Sequence, residues 1–575
     1  MKNIEIALIF YKIADILEML GIEWKPIAYR RAARVIETMS KDIETIYNKD
    51  GLKGLMQISS IGKALAKKIE EYILTDKIKE YELLKKQIPA GFEDLLYVQG
   101  IGPKKVYKLF KKLKIDNIQK LENAAKKGLI RKLEGFGDKS EQEILKSIEI
   151  FKKGQERMLL GKALPIAREI ESSLEKLKEV KKVVIAGSVR RMKETIKDID
   201  ILVISSNPKK VVNTFTTMPN VERVLAKGET KSSIVLKQGI NSDLRVLEEK
   251  SFGAGLNYFT GSKDHNVELR RIAITKGLKL SEYGLFNAKN GRYVCGRTEQ
   301  DVYKKLGLSY VAPELRENLG EIQAAKKSKL PKLIDYDSLN GDLHMHTKWS
   351  DGANTTEEMI NACINLDYKY IAITDHSKSE YVANGLDEKR LLKHCQEIDE
   401  LQKKYPQIRV LKGAEVDILS DGKLDYSDKI LKKLDLVIAS IHSRFKSQKE
   451  EMTKRIIKAL ENKYVNIFSH PTGRLINERE PYEVDIEKLF ETARENNVFL
   501  EINSFPSRLD LKDINIKLAL EHEVKFAINS DSHSTEHLKY IELGIAQARR
   551  GWLESKDILN TLSKQKVEKI LQSKR

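Results

Sequence analysis

DLHMHT (342–347) is a short run that carries two histidines at i, i+2, the spacing that turns both side chains to one side of a strand. Six apolar runs follow it: IAITDH (371–376), VLKGAEVD (410–417), VIASIHS (437–443), VNIFSHP (465–471), FLEIN (499–503) and FAINSDSH (526–533). Six of the seven deliver His, Asp or Glu at the C-terminal end, and nine of the chain's 10 histidines lie in this segment. Helical stretches such as TTEEMINACINL and SDKILKKL separate the runs, so strand and helix alternate from Gly341 onward. In α/β barrels the loops leaving the strands converge at one end, and the chemistry sits there. The pattern predicts a barrel with a multinuclear metal site for hydrolysis at its mouth.

The rest of the chain differs in charge. Residues 1–338 hold 65 Lys and Arg against 45 Asp and Glu, whereas 339–575 hold 38 against 39, so the first part carries all of the +19 net charge. A basic part joined to a neutral one points to a polyanion-binding module beside a catalytic one. The length of 575 residues fits about four domains, and 41% hydrophobic content is ample for real cores. Cys295, Cys363 and Cys395 show neither pairing nor CxxC spacing, which fits a reducing cytosol. No run approaches the ~18–20 apolar residues of a membrane span. IEIALIFYKIADILEML (4–20) carries charges at helix-compatible positions and reads as a core helix, not a signal peptide.

Residues 1–150 read as helices punctuated by glycine turns. Three turns resemble one another: ISSIGKALAKKI (58–69), VQGIGPKKVYKLF (98–110) and LEGFGDKSEQEIL (133–145). A glycine turn between helices presents backbone N–H groups at the start of the second helix, and those attract a phosphate. Gly62 with Lys63 and Lys67, Gly100 and Gly102 with Lys104 and Lys105, and Gly135 and Gly137 are the candidate DNA contacts. Such contacts to the sugar–phosphate backbone fix register and carry no sequence information. The first turn has Ser60 where the others have a leading glycine, and the third also fits a structural role.

Residues 182–247 change to β character. GSVRR (187–191) follows the run KVVIA, DIDILV brings Asp198 and Asp200, and Asp243 opens SDLRVL. Asp198 and Asp200 share a strand face, and pairing with a neighbouring strand adds Asp243. Three carboxylates on one face seat two Mg²⁺ ions for phosphoryl transfer. The Gly187–Ser188 turn and the Arg191 fork suit a triphosphate.

These motifs, in this order and spacing, resemble the family X DNA polymerases over roughly residues 1–316. The resemblance implies that Asp198, Asp200 and Asp243 are the metal-binding catalytic triad and that Gly187, Ser188 and Arg191 hold the triphosphate. It implies that YFTGSKDHNVELR (258–270) holds the incoming nucleotide. There Tyr258 and Phe259 line the sugar, and the Tyr258 backbone stands where a ribose 2′-OH would clash. Gly261 belongs to the nucleotide-binding set, Asn266 contacts the minor groove and Arg270 faces the template. Lys263 departs from the Asp of some members. WKPIAYRRAARVI (24–36) with the first turn resembles the family's 5′-phosphate-binding lyase domain, and Lys68 matches its Schiff-base lysine. Such a lysine needs a neighbouring cation to favour its neutral form, and Lys63 and Lys67 are candidates.

Residues 339–572 resemble a PHP (polymerase and histidinol phosphatase) domain, a distorted seven-stranded barrel with a trinuclear site. The resemblance implies that His344, His346, Glu415 and Asp531 hold one metal, that Glu415, His442 and His470 hold a second, and that Asp351, His376 and His533 hold a third. Imidazole mixed with carboxylate suits Mn²⁺, Zn²⁺ or Fe²⁺ better than Mg²⁺. Asp375 reads as a supporting residue, and Arg474 as either a phosphate contact or a surface ion pair.

The expected architecture is multidomain α+β and α/β: helix–hairpin–helix domains at 1–82 and 83–150, and a nucleotidyltransferase palm with a mixed sheet at 151–249. A nucleotide-selecting subdomain at 250–316, a linker at 317–338 and a distorted (β/α)7 barrel at 339–572 complete it. The expected protein is a cytoplasmic, nucleoid-associated monomer that fills gapped or primer–template DNA from dNTPs with Mg²⁺. Its barrel adds 3′→5′ exonuclease activity with abasic-site or 3′-end processing, and Lys68 a 5′-deoxyribose-phosphate lyase. A phosphoesterase with a non-polymerising DNA-binding half, and a polymerase with a structural barrel, are the alternatives.

Overall fold

The computed structural model describes residues 2–39, 43–86, 88, 95–96, 98, 101–155 and 157–574. Gly100 of the second glycine turn lies outside them. Among the described residues no strand occurs before Met158. Helix Lys2–Met19 buries Ile6, Phe10, Ile13 and Leu17, an i, i+4, i+7, i+11 stripe, against helix Lys25–Thr38. The same core takes in Val106, Leu109, Leu121 and Ile144 from the later helices, so helices from the first to the one that begins at Asp138 share one core.

The middle of the chain is a five-stranded mixed sheet of β1 (Val180–Ile185), β2 (Asp198–Ser205), β3 (Val221–Lys227), β4 (Lys231–Leu236) and β5 (Asn241–Val246). Their spatial order is β1-β2-β5-β4-β3. Only β2 and β5 run parallel. Alternation along β2 places Asp198 and Asp200 on one face, while Ile199, Ile201 and Val203 point to the other and are fully buried.

The C-terminal part is a parallel barrel of β6 (Gly341–Asp342), β7 (Tyr370–Ile373), β8 (Arg409–Asp417), β9 (Leu436–Ser440), β10 (Ile467–Phe468), β11 (Phe499–Asn503) and β12 (Phe526–Asn529). The strands pair in sequence order and in parallel. A parallel bridge between Met345 and Ser532, with His346 N–H donating to the Ser532 carbonyl at 2.8 Å, joins the first run to the last. Every residue of β7 and β9 is buried, as strands covered on both faces require.

Two features depart from the expectation. The stretch 317–338 is not a loose linker: it forms helix Glu321–Lys326, whose Ile322 and Ala325 pack with Leu269 and Leu315, while Ile334 enters the barrel core. Its polarity misleads because Glu321, fully buried, is held by His265 Nδ1 at 2.6 Å and by the backbone N–H groups of Asn318 and Leu319. The palm and the barrel also share a core. Ile476, Leu509, Leu543 and Ala546 of the barrel domain pack with Leu160, Ala163 and Ile196 of the palm. A Cβ at Gly161 would meet the Pro506 ring at 2.6 Å, so glycine is what lets the two backbones approach.

Candidate active sites

The palm site rests on strand register. Asp200 of β2 lies opposite Asp243 of β5 in a parallel pair, and Asp198 is two residues away on the same face, so the three expected carboxylates converge. Burial, and then the charges of Asp198 and Asp243, push Asp200 up to about 7. Crowding that makes a proton welcome also makes a divalent cation welcome. The Asp243 carboxylate accepts from the Ser233 hydroxyl, which fixes its rotamer. Gly187 has φ +62, and a Cβ there would overlap the Asp200 carboxylate, so this turn requires glycine. Gly187, Ser188, Arg191, Asp198, Asp200, Tyr258, Phe259, Gly261, Lys263, Asn266 and Arg270 line one cleft of about 420 Å³. Within it Asn266 Nδ2 donates to the Tyr258 carbonyl at 2.7 Å, holding the backbone that was expected to meet the sugar. The Arg245 guanidinium stacks 4.5 Å over the Phe259 ring.

The barrel site gathers the expected histidines and carboxylates at the C-terminal ends of the strands. Among the described residues four groups place ligand atoms within 4.8 Å of one another: His344, His346 and Asp531; His376, Glu415 and His442; His346, Asp351, His376 and His533; and, beside these, Glu380, Asp417 and His442. His470 joins through Nε2, 3.0 Å from Glu415 Oε1. The grouping differs from the expectation at two histidines: His376 faces both Glu415, at 3.0 Å, and Asp351, at 3.7 Å, and His346 belongs both to the group of His344 and Asp531 and to that of Asp351, His376 and His533. His344 Nε2, both nitrogens of His346, His376 Nδ1, His470 Nδ1 and Glu415 Oε2 are buried without a hydrogen-bond partner. Native interiors rarely leave such atoms orphaned, and imidazole nitrogens with carboxylate oxygens at this spacing are a donor set for divalent cations. The residues therefore fit a multinuclear centre. His470 (φ +28) and Asp531 (φ +53) are held in the left-handed region, strain of the kind that persists at functional sites.

Burial disfavours charge on His442 and His533, yet Glu415 and Asp417 raise the first to about 10 and Asp351 raises the second to about 9. Burial and the neighbouring His533 and His376 hold His346 down at about 4. Glu415, although buried, is kept well below the ordinary carboxylate range by His344, His376 and His442. Metal ligation needs neutral imidazoles, so a cation held by His442 and His533 would displace the protons that their carboxylate neighbours favour.

Several residues of this site were not singled out from the sequence. Glu501 accepts from or pairs with His344 Nδ1 at 2.7 Å and takes the His470 backbone N–H at 2.8 Å. Asp417 pairs with His442 Nδ1 at 2.7 Å. Carboxylates in such places would fix the tautomer and orientation of histidines that hold a metal. The signal was available for Asp417, which lies i+2 from Glu415 on β8. The pocket, about 280 Å³, is also lined by Glu380, Phe445, Arg479, Arg508 and, from the N-terminal helical part, Arg34. Arg34 reaches Asp351 Oδ2 at 3.4 Å and the Val382 carbonyl at 3.2 Å. Asp375 has the supporting place expected of it, accepting from Thr347 N–H at 2.8 Å and from the Ser350 hydroxyl at 2.5 Å, which clips the loop that presents Asp351. Arg474 is not on the surface and does not line the barrel pocket. It is 6% exposed and pairs with Glu194 of the palm at 2.8 Å.

The glycine turns present helix starts. Gly62 and Gly102 are the N-caps of Lys63–Thr75 and Pro103–Leu113, and neither helix has a side-chain cap, so the first N–H groups are available to an anion. Lys63, Lys67, Lys104 and Lys105 lie on those helices. Ser60 adopts φ +62, close to Gly135 at +83, and so makes the left-handed turn that glycine makes in the third hairpin. In that third turn the Ser140 hydroxyl caps Gly137 N–H at 2.9 Å, which satisfies it internally. Lys68 pairs with Glu80, a carboxylate that also accepts from Tyr29 at 2.7 Å. An ion-pair partner of Lys68 is therefore an anion, a neighbour that favours the charged form of a lysine.

A palm with three converging carboxylates, joined to a barrel with a histidine-rich cluster, defines a nucleotidyltransferase fused to a metal-dependent phosphoesterase. Comparison with known proteins agrees. The helix-hairpin-helix domain family matches residues 1–78, the SAM-like helix-hairpin-helix tandem 92–149, the DNA polymerase beta thumb 255–317 and the PHP domain 342–505. The chain is 41% identical over 562 residues to the DNA polymerase/3'-5' exonuclease PolX of Bacillus subtilis (strain 168), covering 97% of each. A probable phosphatase of Thermoanaerobacter sp. (strain X514) is 32% identical over 231 residues, 38% of this chain and 89% of its own length. A probable phosphatase of Clostridium botulinum (strain Langeland) is 33% identical over 201 residues, 33% and 78% respectively. The chain belongs to the family X DNA polymerases that carry a C-terminal PHP domain. Divalent metal use follows from both domains, and no helix among the described residues is long and apolar enough to cross a membrane.

Proposed function

We propose that the chain fills short gaps in DNA and trims 3′ ends, with Asp198, Asp200 and Asp243 serving synthesis and the barrel cluster serving 3′→5′ hydrolysis. One observation carries the reading: the two clefts share no residue, and each holds its own carboxylate set. Two active centres on one chain suit opposite reactions on the same phosphodiester bond.

In the palm, Ser188 and the Gly187 turn receive the triphosphate, and Arg191 meets its charge. Tyr258 and Phe259 form the wall against the sugar, and Asn266 keeps that wall in place by its bond to the Tyr258 carbonyl. The palm carboxylates suit Mg²⁺, and the barrel cluster suits Mn²⁺, Zn²⁺ or Fe²⁺, ions that when bound neutralise the reacting phosphate and lower the pKa of a coordinated water. Glu501 and Asp417 fix the rotamers of His344 and His442. Arg479 and Arg508 line the same pocket, where burial and the neighbouring Arg508 lower Arg479 to about 10. Two guanidiniums there balance the anionic diester. The helix starts at Gly62 and Gly102 grip DNA phosphates without reading sequence. The protein acts as a monomer in the cytoplasm, at the nucleoid where gapped DNA occurs.

A labelled primer on gapped DNA, followed with Mg²⁺ or Mn²⁺ for wild type, Asp200→Ala and Glu415→Ala, tests the assignment. Asp200→Ala should abolish extension and spare degradation, and Glu415→Ala the reverse. Loss of both activities in either variant, or of neither, contradicts it.

A further inference from the structure

The ion pairs that cross from the barrel domain into the palm end on a residue of the nucleotide cleft. Arg550, the last residue of helix Ile541–Arg550, is 4% exposed. Its Nη1 donates to the Arg191 carbonyl at 2.8 Å and to Glu317 Oε1 at 3.2 Å, while Nη2 pairs with Asp513. The same Glu317 oxygen accepts from Arg191 Nε at 2.9 Å, and Arg191 Nη1 donates to the Thr260 carbonyl. These bonds engage Nε and Nη1, which leaves Nη2 of this cleft-lining arginine without a hydrogen-bond partner among the described residues.

The charges explain what Arg550 adds. Lys193 lies 3.7 Å from Glu317 Oε2, so Arg191, Lys193 and Arg550 stand as three cations against two carboxylates, Glu317 and Asp513. One positive charge remains for a ligand in the cleft. Burial opposes ionisation of Glu317, but Arg550, Arg191 and Lys193 outweigh it and keep the carboxyl below its ordinary range. Without Arg550 the cluster would be neutral, and Glu317 would be balanced by Arg191 and Lys193 alone, in competition with an incoming triphosphate.

We propose that Arg550, a residue of the barrel domain, is a positioning residue for nucleotide addition: it holds Glu317 and the Arg191 carbonyl so that the Arg191 guanidinium is oriented and electrostatically free for the nucleotide's phosphates. The proposal rests on the polymerase reading of the palm. It makes the barrel domain part of the synthesis machinery while Arg550 touches neither substrate nor metal ligand.

The test is steady-state gap filling by the full chain, varying dNTP, with 3′→5′ degradation of a single-stranded primer measured on the same preparations. Arg550→Met should raise the KM for dNTP about tenfold, leave kcat within about threefold and leave degradation at the wild-type rate. On an Arg191→Ala background the same change should add less than about twofold, because the route from Arg550 to the nucleotide is already cut. Arg550→Lys keeps the charge and loses the fork. It should raise KM about threefold, and it decides the matter if the methionine variant does not fold. An unchanged KM in Arg550→Lys, full additivity with Arg191→Ala, or a parallel fall in degradation overturns the proposal. Wild type that incorporates no dNTP would sink the polymerase reading as well, whereas incorporation with an unaltered KM in the Arg550 variants sinks this proposal alone.

Discussion

Gly187→Ala is the sharpest probe of the palm geometry. The backbone there sits at φ +62, and an added Cβ would lie 3.2 Å from Asp200 Cγ, with Oδ2 nearer still. The left-handed conformation alone costs an alanine ~1–2 kcal/mol. That is small beside the ~5–15 kcal/mol that holds a domain folded, so the variant should be isolated as a native protein. The overlap cannot be relieved cheaply on the glycine's side, because Ala186 N–H is bonded to the Asp200 carbonyl at 2.8 Å and the turn is pinned to β2. The Asp200 carboxylate must therefore yield by about 1 Å to restore normal contact distances. A displacement of that size in a catalytic group costs ~10²-fold in rate. Single-nucleotide gap filling under saturating dNTP should fall by about that factor, while primer degradation by the barrel stays near wild type and the melting temperature falls by only a few degrees. Synthesis within about threefold of wild type would refute the idea that Gly187 exists to make room for Asp200. Equal loss of synthesis and degradation would refute the independence of the two sites.

Asp200 is raised to about 7, so its folded-state pKa lies above its unfolded one. The stability this contributes is complete below the unfolded value of 3.8 and is lost as pH rises through 7. In EDTA, Asp200→Asn should accordingly out-melt wild type by a margin that grows from pH 4 to 7 and then levels off; a margin that shrinks with pH reverses the assignment. Glu501→Gln should weaken metal retention by the barrel ~10–100-fold, read as metal per chain after dialysis, and leave dNTP incorporation intact. Ser60→Gly relieves a left-handed serine worth ~1–2 kcal/mol against ~0.5–1 kcal/mol of added chain entropy. Amide exchange in helix Lys63–Thr75 should therefore slow modestly, and faster exchange would contradict the strain.

What could be read from the chain divides along physical lines. The barrel was legible because the strands announce themselves by apolar runs and six of the seven end in a residue with a metal-binding side chain, all within a few positions. The palm triad was legible because Asp198 and Asp200 obey the two-residue period, and only the strand pairing with Asp243 had to be supplied. Asp417 and Glu501 obey the same local rule and were open to it. Arg34, Glu317, Arg474 and Arg550 were not, since each meets a partner 100 or more positions away through an ion pair that leaves no periodic trace. Polarity misled at 317–338, where Glu321 looks solvent-loving and is in fact paired in the core. Lys68 shows the same limit: its helix is obvious, but its companion Glu80 could be seen only in three dimensions.

The apolar contact between palm and barrel has a practical corollary. Severing the chain anywhere in 317–338 would not release two working enzymes, because Ile476, Leu509, Leu543 and Ala546 would be stripped of their neighbours and left facing water. Variants meant to isolate synthesis from degradation are better made by point changes in one cleft than by truncation. A gene in which these two parts have become separate reading frames should carry polar replacements at those four positions.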